Sequence, residues 1–122
     1  MKIEKFEDLE CWKEAKKLIN IIYEFIRKAP FSKDYRLRDQ IIGASISIMN
    51  NIAEGFDCQN NKEFIRFLGY SRRSSSEVRN CLYIAYDQKY LNIKEFNFAF
   101  SQVLKVNQII DGFLRYLRKH KN

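Results

Sequence analysis

The chain has 122 residues, a formal net charge of +7 and a pI near 9.4. Hydrophobic residues make up 46% and aromatics 15%, which excludes a disordered chain, and the length bounds it to one domain. Four glycines and one proline give little turn punctuation for a strand-rich fold, and no apolar run approaches the roughly 18 residues of a membrane span.

The opening stretch MKIEKFEDLE is charged and has no apolar signal-peptide core. Cys11, Cys58 and Cys81 are odd in number and lack a C-x-x-C spacing, so they read as reduced thiols. Both points predict a cytoplasmic protein. Phe6 is the one apolar anchor of the lead. Cys11, Ala15, Leu18, Ile22, Phe25 and Ala29 then recur at steps of four and three, the period of a helix burying one stripe. Asp8 is the expected N-cap and Pro30 the stop, giving a first helix over about 8–29. Lys13, Glu14, Lys16, Lys17 and Glu24 are assigned to its outer face.

The second helix spans about 34–56. Ile41, Ile48 and Ile52 line one side; Ile42, Ile46, Met49, Ala53 and Phe56 line a second. A helix apolar on two adjacent stripes has to be covered on two sides. Its own chain covers one, so the other predicts self-association through Ile42, Ile46 and Met49. Gly55 is expected to turn the chain at the end of the helix with positive φ.

The third helix spans about 61–88, opened by a capping pattern of Asn60 with Glu63. Its inner face reads Phe64, Phe67, Leu68, Ser71, Ser74, Ser75, Val78, Leu82 and Ala85. Serine in the middle of that face, matched by small residues on the second helix, predicts a tightly packed antiparallel pair. Asn92 with Glu95 repeats the capping pattern and opens a fourth helix over about 92–118. There Phe98, Ile109, Phe113 and Tyr116 lie off the main stripe, which adds Phe113 to the candidate oligomer interface. Four helices with short connections predict an all-α, antiparallel up-down-up-down four-helix bundle.

Candidate chemistry is sparse. Asn51 with Glu54, and Ser74 with Glu77, are three apart on their helices, so each pair shares a face. Bundle metal sites need several carboxylates and histidines. The single histidine, His120, lies in the tail, so Asn51, Glu54, Ser74 and Glu77 read as a structural polar network. No metal, no cofactor and no enzyme activity are expected, since no nucleophile has a base beside it. The basic residues say more. Lys62, Arg66 and Arg73 fall on one strip of the third helix, and Arg72 and Arg79 on a flanking line. Arg115, Arg118, Lys119 and Lys121 crowd the chain end. Such strips suit contacts to nucleic-acid phosphates, which give affinity without sequence readout. The aromatics are assigned mainly to the core.

FEDLECWKEA at 6–15, N-I-A-E-G at Asn51 to Gly55, and KEFIRFL at Lys62 to Leu68, followed by Ser74, Glu77 and Leu82, occur in order. Together they resemble the four-helix-bundle family of 23S ribosomal-RNA intervening-sequence proteins, over nearly the whole chain. The family pattern falls here on Trp12, Gln40, Asn51, Glu54, Gly55, Phe64, Arg66, Ser74 and Glu77. The resemblance implies a bacterial cytoplasmic bundle that assembles as a homopentamer, with no established catalytic residues. Some relatives are encoded within insertions in large-subunit ribosomal RNA genes. A more distant one looks like the nucleic-acid-binding accessory protein of diversity-generating retroelements. The chain departs from the pattern at Ile42, Gly43, Met49 and Arg73, where basic residues, a proline and a glycine are common. Charge is thereby shifted from the second helix to the third. The expected role is a non-enzymatic oligomer that binds RNA or DNA; the alternative is a scaffold whose partner is another protein. No membrane role is expected.

Overall fold

The apolar spacing is realised as four α-helices. The structure, a computed structural model, describes residues 3–120. The helices are α1 (Glu10–Ile26), α2 (Tyr35–Asp57), α3 (Asn61–Asp87) and α4 (Ile93–Lys119), with short 3-10 turns at Phe6–Asp8 and Phe31–Lys33. Cross-helix contacts fix their sense. Ser71 Oγ donates to the Ile48 carbonyl at 2.8 Å and Ser74 Oγ to Ser47 Oγ at 2.9 Å, while Gln40 meets Glu77. Numbers rise along α2 as they fall along α3, so the two run antiparallel. Arg72 with Asp111 and Tyr83 with Phe96 show the same for α3 and α4. At one end Phe31 stacks on Tyr90, with centroids 5.1 Å apart, and Tyr90 donates its hydroxyl to Asp34 at 2.9 Å. The helices form a ring in which α1 touches α2 and α4, and α3 touches α2 and α4.

Each helix closes its core face with the expected stripe. Leu18, Ile22, Ile41, Ile48, Ile52, Leu68, Leu82, Val103 and Ile110 are fully buried. Asp34 caps α2 by accepting from the Leu37 N–H at 3.1 Å. Asn60 caps α3 through the Glu63 N–H, and Asn92 with Glu95 forms a complete capping box on α4.

Several expectations are corrected. Leu9, not Asp8, precedes α1, and Asp8 belongs to the 3-10 turn before it. α1 stops at Ile26 rather than 29, leaving Ala29 exposed. The residue before a proline is kept out of helical backbone, and the segment instead tucks Phe31 into the core. Gly55 does not turn the chain. It is helical, no glycine among the described residues has positive φ, and the left-handed residue in the turn is Gln59. Gly55 lets α3 come close: a Cβ there would lie 2.6 Å from Phe67 Cβ and 2.9 Å from Phe64 Cδ1.

Glu14 is the largest correction. It is buried rather than outward. One oxygen accepts from Gln102 Nε2 of α4 at 3.0 Å and lies 3.4 Å from Lys105 Nζ; the other accepts from Lys17 at 3.1 Å. The Gln102 hydrogen bond, then those of Lys17 and Lys105, hold its pKa below the ordinary glutamate value despite burial. Glu14 therefore ties α1 to α4.

Candidate nucleic-acid interface

The charge is divided between the two hairpins. Residues 1–60 contain ten basic and ten acidic side chains and are neutral overall, so the whole net charge of +7 lies on residues 61–122. In space this makes α1 and α2 a neutral half and α3 and α4 a positive half.

The basic residues divide by what they touch. Arg66 donates to Glu63 Oε1 at 2.5 Å and to the Tyr70 hydroxyl at 2.9 Å. The Glu63 bond, then Tyr70, raises its pKa further above the ordinary value, and Arg66 in turn lowers that of Glu63. Arg73 lies over the same tyrosine, its guanidinium 5.0 Å from the Tyr70 ring centre. Arg72 spans to α4 and pairs with Asp111 at 2.9 Å, so its charge is largely answered. Arg79 lies over the Phe100 ring at 5.5 Å. Among the described residues no carboxylate pairs with Lys62, Arg73, Arg79, Arg115, Arg118 or Lys119. Asn61 Nδ2 donates to the His120 carbonyl at 2.6 Å, which brings the start of α3 to the end of α4. Lys62 and the cluster Arg115, Arg118 and Lys119 therefore share one end of the positive half. Lys121 lies outside the described residues.

The expected polar network is only partly assembled. Asn51 Nδ2 donates to the Ser47 carbonyl and to Ser47 Oγ at 2.9 and 3.0 Å, and Ser74 reaches the same Ser47 hydroxyl. Ser47 is thus the hub, a residue that spacing alone does not single out. Glu77 bonds to Gln40 instead, and Glu54 is exposed with no partner among the described residues. Gln40 and Glu54 are fourteen residues apart on α2, about 21 Å along the axis. The two carboxylates do not form a site. A cleft of about 440 Å³ beside Gln40 and Glu77 is lined also by Asp34, Arg36, Asn80 and Cys81. Asp34 is occupied as cap and Tyr90 partner, and burial, then Glu77, raises the Cys81 thiol pKa, which makes it a poor nucleophile. No group of three or more His, Cys, Asp or Glu side chains among the described residues could hold a metal ion. No described helix is long and apolar enough to cross a membrane.

The second apolar stripe of α2 lies at the surface of the single chain. Ile46 is 37% exposed, and Ile42 and Met49 are partly buried against the core. Phe113 is engaged within the chain: its ring meets Phe64 edge-on at 5.1 Å, and Phe64 meets Phe56 at 5.9 Å. An aromatic ladder on the outer α3–α4 face was not anticipated from the sequence. Tyr83 rests on Phe96 and Phe100 with centroids 5.3 and 5.4 Å away, and Tyr86 on Phe96 at 5.1 Å. Its signal was available: Tyr83 and Tyr86 lie off the Val78, Leu82, Ala85 stripe.

The sequence matches the family of the 23S rRNA-intervening sequence protein over residues 7–112, so Arg115, Arg118 and Lys119 lie past the matched span. No curated protein matches it. A solved structure of a protein with unknown function from the S23 ribosomal protein family of Bacteroides thetaiotaomicron is similar, with a TM-score of 0.78 and 18% identity. The alignment covers 85% of this chain and 97% of that one, which shows a shared fold. Neither comparison indicates an enzymatic family. With the three ordered motifs seated on helices of the shared bundle, the match over residues 7–112 makes the chain a member of the 23S rRNA-intervening sequence protein family.

Proposed function

We propose that the protein is a non-enzymatic, self-associating bundle of the bacterial cytoplasm that binds RNA or DNA through backbone phosphates on its α3–α4 half. The observation that supports this most is the confinement of the entire net charge to residues 61–122. Opposite charge gathered on one side attracts a polyanion, and unpaired lysines and arginines give contacts that displace condensed counterions. The apolar residues Ile42, Ile46 and Met49 on the neutral half leave a separate surface for other copies; five copies follow the family resemblance. Three free cysteines, two of them buried, suit a reducing compartment.

Fluorescence anisotropy with labelled RNA and DNA at low ionic strength tests the reading. Binding should weaken steeply as salt rises. Replacing Arg115 and Arg118 with Gln should reduce the salt slope by about one for each phosphate that the protein no longer neutralises. Absence of binding to any nucleic acid at low salt refutes it. A scaffold for a protein partner is the second reading, favoured by the use of Arg66 and Arg72 in pairs with Glu63 and Asp111. An intact oligomer by light scattering, without nucleic-acid binding, would support that one.

A further inference from the structure

We propose that the α3–α4 face takes single-stranded rather than duplex nucleic acid. Unpaired bases stack on Tyr83 and Tyr86, and phosphates run past Arg79 toward Arg115 and Arg118. The proposal rests on the nucleic-acid reading above and narrows its ligand.

The rings make the case. Tyr83 is 51% exposed and Tyr86 38% exposed, although both are large aromatics that could pack inward. Each is braced from below by Phe96, and Tyr83 also by Phe100, while Phe96 and Phe100 stack on one another at 5.3 Å. Neither tyrosine hydroxyl has a hydrogen-bond partner among the described residues, so these side chains are not held by polar anchors. The half-buried rings underneath hold the exposed pair in position, so little side-chain freedom is lost when a base settles on them. Every base has a π-face, and stacking on an aromatic platform binds single strands with little sequence preference. A duplex hides those faces inside its own stack and has no use for the ladder.

Charge places the strand. Arg79 lies one helical turn before Tyr83, over Phe100, and no carboxylate pairs with it among the described residues. The same α3–α4 face continues through the Arg72–Asp111 pair to Lys62, Arg115 and Arg118. Aromatic and cationic stretches thus lie end to end along two antiparallel helices, the combination of stacking platform and basic track that a single strand needs. A two-fold contact between copies through this face is disfavoured, since it would set these cations against their own counterparts; a ring of five sets one face against a different one, and the light-scattering arm below tests for that.

The test compares a fluorescein-labelled single strand of about 12 uridines, within the usual site size, with a duplex of equal length. The single strand should bind roughly tenfold tighter at equal salt, the scale of one stacked base. Replacing Tyr83 and Tyr86 with Leu, which keeps the apolar contact to Phe96, should remove that preference and leave duplex affinity and the salt slope unchanged. Tyr83→Phe, which keeps the ring, should retain it. If the duplex binds as tightly as the single strand and the Leu variant changes nothing, the stacking proposal is overturned while phosphate binding stands. If neither polymer binds, the nucleic-acid reading itself fails. If the Leu variant loses affinity and also changes oligomeric state by light scattering, the ladder is a contact between copies and the proposal is overturned.

Discussion

Replacing glycines one at a time by alanine separates two opposing effects within one molecule. In a helix interior Gly→Ala stabilises by about 1 kcal/mol through backbone entropy and propensity. Gly43 and Gly69 are both helical, and a Cβ at either would meet nothing within 4 Å. Those two substitutions should stabilise, by up to about 1 kcal/mol each. Gly55 is the opposite case. Its new methyl would lie 2.6 Å from Phe67 Cβ, where carbon contacts are best at about 3.5–4.0 Å. Phe67 Cβ is fixed to its backbone and cannot rotate aside, so α2 and α3 must separate locally by about 1 Å. Overpacking of this kind costs roughly 1–3 kcal/mol and works against the propensity gain of about 1 kcal/mol, for a net loss of up to about 2 kcal/mol. Urea unfolding followed by circular dichroism, at one fixed protein concentration, should show Gly55→Ala moving the midpoint down while the others move it up. In a thermal melt Gly55→Ala lowers the midpoint by up to about 10 °C at this chain length. A Gly55→Ala midpoint raised as far as those of Gly43→Ala and Gly69→Ala would refute the close α2–α3 approach as the reason for this glycine.

Two further substitutions probe the polar contacts. Glu14 has a depressed pKa in the folded chain, so its contribution is present above the ordinary carboxylate range and is lost as pH falls through the lower folded value. Glu14→Gln should lower stability at neutral pH by about 1–2 kcal/mol and flatten the decline that sets in as pH falls below the ordinary carboxylate range. Parallel pH profiles of urea midpoints for the two proteins would contradict the α1–α4 tie. Asn107 is buried; its carbonyl oxygen meets Ser75 Oγ, but Nδ2 has no partner among the described residues. The Arg72 carbonyl, 2.8 Å from Ser75 Oγ, is a second acceptor for that hydroxyl's single proton, so Asn107→Leu leaves the proton placed and should be neutral or stabilising by up to about 1 kcal/mol. A larger destabilisation in chemical denaturation would mean that the amide fixes the α3–α4 register.

Periodicity made the four helices legible, because each carries a stripe at steps of three and four, and Asn60 and Asn92 mark the starts of α3 and α4. The misses have a common cause in partners supplied by distant elements. Glu14 stands three residues after Cys11 and four before Leu18, on the buried stripe itself, yet the surrounding lysines suggest an outer position. Only α4, bringing Gln102 and Lys105, makes its burial tolerable. Asp111 likewise answers Arg72 from another helix, which no spacing within α3 announces. Gly55 suggests a turn because it lies near a helix end; the Phe67 side chain that demands a glycine comes from beyond the turn. At the candidate interface the cations were legible as strips, but the aromatic ladder emerged only when α4 placed Phe96 and Phe100 under Tyr83 and Tyr86.

The uneven placement of charge gives the molecule an electrical front and back. In the field of a polyanion such a body experiences a torque before it experiences contact, and it turns its α3–α4 side forward as it diffuses in. On the nucleic-acid binding proposed above, encounters through that side would be enriched over random collisions, and the enrichment would fade as added ions shorten the reach of the field to about 10 Å at 0.1 M salt. The neutral side, with as many acids as bases, would add almost no net pull of its own.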